Sequence, residues 1–90
     1  MDTWFLYVIR CKHGNLYTGI TTNVERRLAE HTGNHNKGAK YLRGKTPLTL
    51  AMKKKMKSKS MALQIEAKVK KLPKMKKELF VEGKIKVKEL

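Results

Sequence analysis

The chain opens on one kind of hydrophobic pattern and closes on another. Trp4–Cys11 (WFLYVIRC) is almost continuously apolar, aromatic and β-branched, which suits a central strand buried on both faces. Lys12-His13-Gly14-Asn15 then carries turn chemistry, and Leu16–Ile20 is a second short apolar run, so the two runs predict a β-hairpin. The register decides where Tyr7 and Tyr17 point. A two-residue loop pairs positions whose numbers sum to an odd value and sends the two rings to opposite faces. A three-residue or bulged loop puts them on the same face. The pattern alone leaves both open.

The period then lengthens. Thr22-Asn23-Val24-Glu25 fits a capping box, with Thr22 as N-cap and Glu25 reaching back, and predicts a helix to about Thr32 with Gly33 as its stop. At 100° per residue, Val24 and Leu28 define the apolar stripe. Arg27 and His31 fall within about 60° of Val24, while Glu25, Arg26, Ala29 and Glu30 point elsewhere. An arginine at a core edge snorkels, pairs with a carboxylate or meets an anionic partner, and spacing does not choose among these.

Gly33–Lys45 (GNHNKGAKYLRGK) has no apolar period and is long for a loop in so small a domain. Tyr41 stands there among Lys37, Lys40, Arg43 and Lys45, a composition that fits a nucleic-acid contact strip or a solvated loop. Thr46–Met56 predicts a third strand, with Leu48, Leu50 and Met52 alternating and Pro47 at its start. Lys53-Lys54-Lys55 closes that strand or runs into a loop. A second helix is expected over about Met61–Leu72, capped by Ser58 or Ser60, with Ala62, Ile65, Val69 and Leu72 inward. Glu66 falls within that stripe, and a carboxylate buried alone costs several kcal/mol, so something positive must meet it. A structural ion pair and a divalent-metal ligand both answer that need. Pro73 ends this helix and opens a third over Lys74–Glu82, closed by Gly83. The last segment, KIKVKEL, alternates weakly and reads as an edge strand or a frayed tail.

Composition changes the picture through charge. Ninety residues make one domain, taken as residues 1–83 with a tail at 84–90. Lys+Arg 22 against Asp+Glu 7 gives a net +15, the electrostatic footprint of a partner rich in phosphate. The single Cys11 excludes an intramolecular disulfide and any cysteine-based zinc cluster. Trp4–Ile9, the longest apolar run, is too short to span a bilayer and has no basic segment before it. A cytoplasmic, monomeric protein without a membrane partner is the expectation.

Together, Phe5-Leu6-Tyr7, Tyr17-Thr18-Gly19, Arg27, His31 and Glu66 resemble the motif residues of the GIY-YIG nuclease domain. LYTGIT, ERRLAEH, KGAKYLRGK and EAKVKKL carry the likeness, which runs from Trp4 to about Phe80. Within that superfamily the chain looks like the small stand-alone bacterial UPF0213-type proteins. It departs from the family pattern in reading Phe-Leu-Tyr for Gly-Ile-Tyr and in having Thr18 for isoleucine.

The resemblance implies an α+β fold: a three-stranded antiparallel sheet flanked by helices, in the order β-β-α-β-α-α. It implies a site on the sheet surface built from Tyr7, Tyr17, Arg27, His31 and Glu66. Glu66 would hold one Mg²⁺ or Mn²⁺, Arg27 would neutralise phosphoryl charge, and Tyr7, Tyr17 or His31 would take a proton from water. The implied activity is metal-dependent endonucleolytic hydrolysis of DNA, with structure rather than sequence preference. The alternative is a DNA- or RNA-binding module that keeps the fold without cleaving. DNA ranks ahead of RNA as the partner.

Overall fold

The computed structural model describes residues 2–32, 45 and 47–90. Strands β1 (Trp4–Arg10) and β2 (Leu16–Thr21) lead into helix α1 (Val24–Thr32). Strand β3 (Thr49–Met56), helices α2 (Lys59–Lys70) and α3 (Lys74–Val81), and a 3₁₀ turn at Val87–Glu89 complete the described elements. The three strands form an antiparallel sheet in the order β2-β1-β3, so the most apolar run occupies the centre. From Leu6 to Ile9, β1 is buried on both faces.

The hairpin loop settles the register. Cys11 N–H donates to the Asn15 carbonyl at 2.8 Å and Gly14 N–H to the Cys11 carbonyl at 2.9 Å. Gly14 has φ of 86°, the left-handed conformation that a three-residue hairpin loop requires where its turn meets the second strand. Tyr7 therefore pairs with Gly19 and Ile9 with Tyr17, sums that are even, and both tyrosines share one face.

On that face Tyr7, Ile9, Cys11 and Val24 form a buried cluster, flanked by Phe5, Tyr17, Leu28, Leu48 and Leu50. On the other, Leu6 and Met56 pack against Ala62, Ile65 and Val69 of α2 and Phe80 of α3. The strict alternation expected for β3 is broken between its two ends. Met52 pairs with Val8 but Leu50 pairs with Ile9, so Ala51 is the extra residue of a bulge. The bulge sends Leu50 to the tyrosine face and Met52 to the opposite one.

Other boundaries differ from the pattern for local reasons. The cap of α1 is Asn23, whose Oδ1 accepts from Arg26 N–H at 2.9 Å, not Thr22. Glu25 reaches Lys53 on β3 at 3.2 Å instead of closing a capping box. Thr21 Oγ1 accepts from Asn23 N–H at 3.2 Å and fixes the entry to the helix. Ser58 caps α2, its Oγ accepting from Met61 N–H at 3.1 Å. Lys53, Lys54 and Lys55 all lie within β3, which begins at Thr49; Thr46 lies outside the described residues. The C-terminal segment is neither an edge strand nor frayed: Ile85, Val87 and Leu90 pack against the Leu6 cluster.

Candidate active site

Tyr7 is placed by the strand that carries it. Its ring lies across Gly19 on β2, so closely that a Cβ there would sit 2.6 Å from the Tyr7 Cζ. Glycine at this position is a matter of space. The ring's hydroxyl then reaches helix α1, meeting His31 Nε2 at 3.0 Å. His31 sits one turn beyond Arg27 on that helix and is buried, and the Tyr17 ring stands edge-on to it with centroids 5.6 Å apart. The amphipathic offset of Arg27 and His31 from Val24 is what aims both at the tyrosines.

Arg27 is half-buried and occupied on two sides. Its guanidinium pairs with Glu30 at 2.9 Å and donates towards the Tyr7 hydroxyl. Snorkelling, ion pairing and facing the site are therefore combined in one side chain. Glu66 lies at the border of the buried stripe of α2 rather than inside it, with 19% of its side chain exposed. Its charge is felt by Tyr7, and its Oε2 meets Lys70 Nζ at 3.4 Å. Lys70 in turn lies over the Tyr17 ring, 5.9 Å from its centroid.

These surroundings fix the protonation states. Burial above all, with the neighbouring Tyr17 and the Glu66 charge adding to it, pushes the Tyr7 phenol up to about 12 against the opposing pull of Arg27. Burial also pushes the His31 imidazole below its ordinary value, and the Arg27 charge pushes the same way while Glu30 opposes. At neutral pH the Tyr7 phenol and the His31 imidazole are both uncharged, and the imidazole tautomer sets which of the two donates in their bond.

Arg27, His31 and Glu66, read on inward faces from the pattern, thus lie with Tyr7 and Tyr17, which the family resemblance added, at the β2 side of the sheet. Two participants escape the pattern. Glu30 points away from the apolar stripe of α1, and Lys70 carries no signal of its own in the pattern, yet each is the (i, i+3) or (i, i+4) partner of a site residue. That spacing is the signal that finds them. Of the basic strip, Lys37, Lys40, Tyr41 and Arg43 lie outside the described residues. Lys45 is half-buried, and its carbonyl accepts from Lys12 N–H at 2.9 Å, which ties the segment before β3 to the hairpin loop. Among the described residues, no group of three or more histidine, cysteine or acidic side chains is arranged to hold a metal. None of their helices is long and apolar enough to cross a membrane.

Comparison with known proteins gives the family and the fold. Residues 3–78 match the family model of the GIY-YIG catalytic domain. A UPF0213 protein of Cronobacter sakazakii is 51% identical over 85 residues, covering 94% of this chain and 87% of that one. The UPF0213 protein YhbQ of Escherichia coli O127:H6 is 52% identical over 81 residues, covering 90% and 79%. Two solution NMR structures share the fold. The UPF0213 protein BH0048 of Bacillus halodurans superposes with a TM-score of 0.59 at 40% identity, covering 97% of this chain and 90% of that one. Protein EF2693 of E. faecalis gives a TM-score of 0.63 at 36% identity, covering 92% and 86%. The match over the whole sheet and most of the helical layer, with both tyrosines inside it, makes this chain a member of the GIY-YIG family.

Proposed function

We propose that the chain is a divalent-metal-dependent endonuclease that hydrolyses DNA phosphodiester bonds, selecting DNA by structure more than by sequence. The observation that carries this reading is the Tyr7–His31 hydrogen bond of 3.0 Å, set beside the Arg27 guanidinium and the Glu66 carboxylate. A binding surface for phosphates needs cations; it does not need a phenol aimed at a neutral imidazole.

The donor set suits the metal. Glu66 is a single, partly exposed carboxylate, and Mg²⁺ or Mn²⁺ binds through one or two carboxylates while waters and substrate phosphate complete its shell. A closed zinc site would need more ligands than the described residues bring together. When bound, the ion supplies Lewis-acid polarisation of the scissile phosphate and stabilises charge on the leaving oxygen.

The chain's own residues handle protons and charge. Tyr7 Oη accepts a proton from the attacking water while its own proton passes to His31 Nε2, so a neutral phenol relays to a neutral base. The new P–O bond forms as the opposite ester bond breaks, and the departing oxygen takes a proton from solvent. Arg27 neutralises charge gathering on the phosphoryl oxygens. It also keeps the His31 imidazole easy to deprotonate, which resets the site. Tyr17 packs edge-on against the imidazole and holds its orientation.

One observation favours the reading without cleavage: Lys70 already meets the only carboxylate that would take the metal. A single assay decides between them. The protein and its Glu66→Ala variant are incubated with supercoiled, branched and single-stranded DNA in Mg²⁺ or Mn²⁺. The nuclease reading expects nicking that falls by about 100-fold or more in the variant. Wild-type nicking no faster than that background on every substrate would leave only a binding module.

A further inference from the structure

Helix α2 presents two flanks on either side of its buried stripe of Ala62, Ile65 and Val69. Lys59, Leu63, Glu66 and Lys70 recur at steps of four, three and four residues and fall within about 60° of one another. This flank borders the site, since it carries Glu66 and lays Lys70 on Tyr17. Met61, Gln64 and Lys68 form the other flank, which lines a groove beneath the C-terminal turn with Val87 and Leu90. There Lys68 Nζ donates to the Leu90 carbonyl at 3.4 Å.

Both lysines of the site flank lie over an aromatic ring, and Lys70 also pairs with Glu66 at 3.4 Å. Lys59 Nζ lies 5.2 Å from the centre of the Trp4 ring, and Lys70 Nζ 5.9 Å from that of Tyr17. Each ammonium is exposed, but its stem is held against an aromatic face, which reduces the rotamer freedom lost when it meets an anion. They bracket Glu66, about 10 Å along the helix axis on one side and about 6 Å on the other. Leu63, nearly half exposed, fills the interval between Lys59 and Glu66. A phosphate brought to Glu66 meets a like charge, and a cation on either side offsets that repulsion.

We infer that Lys59 and Lys70 form a phosphate track along α2, gripping the nucleic-acid backbone on both sides of the phosphate presented to Glu66. The inference rests on the nucleic-acid reading above and adds the path of the strand: along the β2 side of α2, from Trp4 to Tyr17. Lys68 serves as the internal control. It lies on the same helix, carries the same charge and faces the other way.

The test is binding without turnover, by fluorescence anisotropy of labelled duplex and branched DNA in EDTA across a salt series. Lys59→Ala and Lys70→Ala are each expected to weaken binding about fivefold at 0.1 M salt and to lower the log–log salt slope by about 0.9. Lys68→Ala is expected to change affinity less than about twofold. Lys59→Arg and Lys70→Arg keep the charge and should keep the wild-type salt slope, which separates charge from folding. Equal losses from all three alanine variants, or none from Lys59→Ala and Lys70→Ala, would overturn the track while leaving nucleic-acid binding in place. A wild-type chain that binds neither DNA would overturn the DNA reading on which the track rests.

Discussion

Tyr7 Oη and His31 Nε2 stand 3.0 Å apart, and burial drives their protonation equilibria in opposite directions. The phenol keeps its proton to about 12, while the imidazole is neutral from below its ordinary value upward. Cleavage should therefore fade as pH drops through an apparent pKa below that of a free imidazole, and stay level from about pH 7 to 9. His31→Ala should cost about 10²–10⁴ in rate. A rate that instead climbs tenfold per pH unit from 7 to 9 would mean that Tyr7 must ionise unaided, and the relay would be wrong. The same depression acts on stability: the neutral imidazole is fully accommodated above the unfolded value of about 6.5, and stability falls as acid protonates it.

Gly19 is the second half of that arrangement. Its φ is ordinary, so alanine there meets no backbone penalty, but its Cβ would lie 2.6 Å from the Tyr7 Cζ. The ring has to move, and the Tyr7 hydroxyl moves with it. Gly19→Ala is expected to lose about 1–3 kcal/mol of stability and most cleavage activity. Thermal melting reads the first effect, and a titration of His31 by NMR shows whether its partner has left. A variant that melts like the wild type with an unshifted His31 would show that the ring tolerates the methyl.

Much of this was legible in the chain because the strongest signals are periodic. The continuous apolarity of Trp4–Cys11 marks a strand covered on two faces, and it is the central one. The angular offset of Arg27 and His31 from Val24 places them at a core edge, where both are found. The hidden features depend on single residues. Ala51 makes a bulge that no alternation reveals, because a bulge is itself a break in period. The hairpin register turns on whether the loop holds two residues or three, a difference that Lys12-His13-Gly14 does not announce beyond its glycine. Glu66 reads as buried because 100° steps give direction and not depth; at the end of the stripe it is 19% exposed. The C-terminal Ile85 and Val87 look like an alternating strand, but the sheet offers them its helical layer and not an edge.

The entry to α1 gives a direct check on one such single-residue difference. Asn23 Oδ1 accepts the Arg26 N–H at 2.9 Å, so Asn23→Ala should destabilise the protein by about 1 kcal/mol. Thr22→Ala should fall within about 0.5 kcal/mol of the wild type, since no capping bond depends on it. Urea melts of the two variants distinguish the cap. The opposite ranking would return that role to Thr22.

At the far end of the sheet from the helix caps, Arg10 fixes α3 to the hairpin. Its Nη1 and Nη2 donate to Glu78 Oε2 and Oε1, both at 2.7 Å, while Lys74 reaches the same carboxylate at 3.1 Å. Lys74 also donates to the Gly14 carbonyl at 2.7 Å, so helix and hairpin loop are joined twice. The Arg10 guanidinium, followed by Lys74, holds the Glu78 carboxyl down at about 2, against 4.5 for a free one. A depressed carboxylate contributes stability that is complete above about pH 4.5 and is lost as pH falls toward 2. With 39% and 30% of the two side chains exposed, solvent screening limits the pair to about 1 kcal/mol despite its bidentate geometry. For a domain of this size that is about 4–8 °C in Tm. Glu78→Gln should melt lower than the wild type by that margin at pH 7, and the gap should close as pH is lowered toward 2. Arg10→Gln should behave alike, and the double variant should lose little more than either single one, because each already removes the shared contact. A gap that persists unchanged at pH 2 would place the stability of this corner in the packing around Phe80 instead.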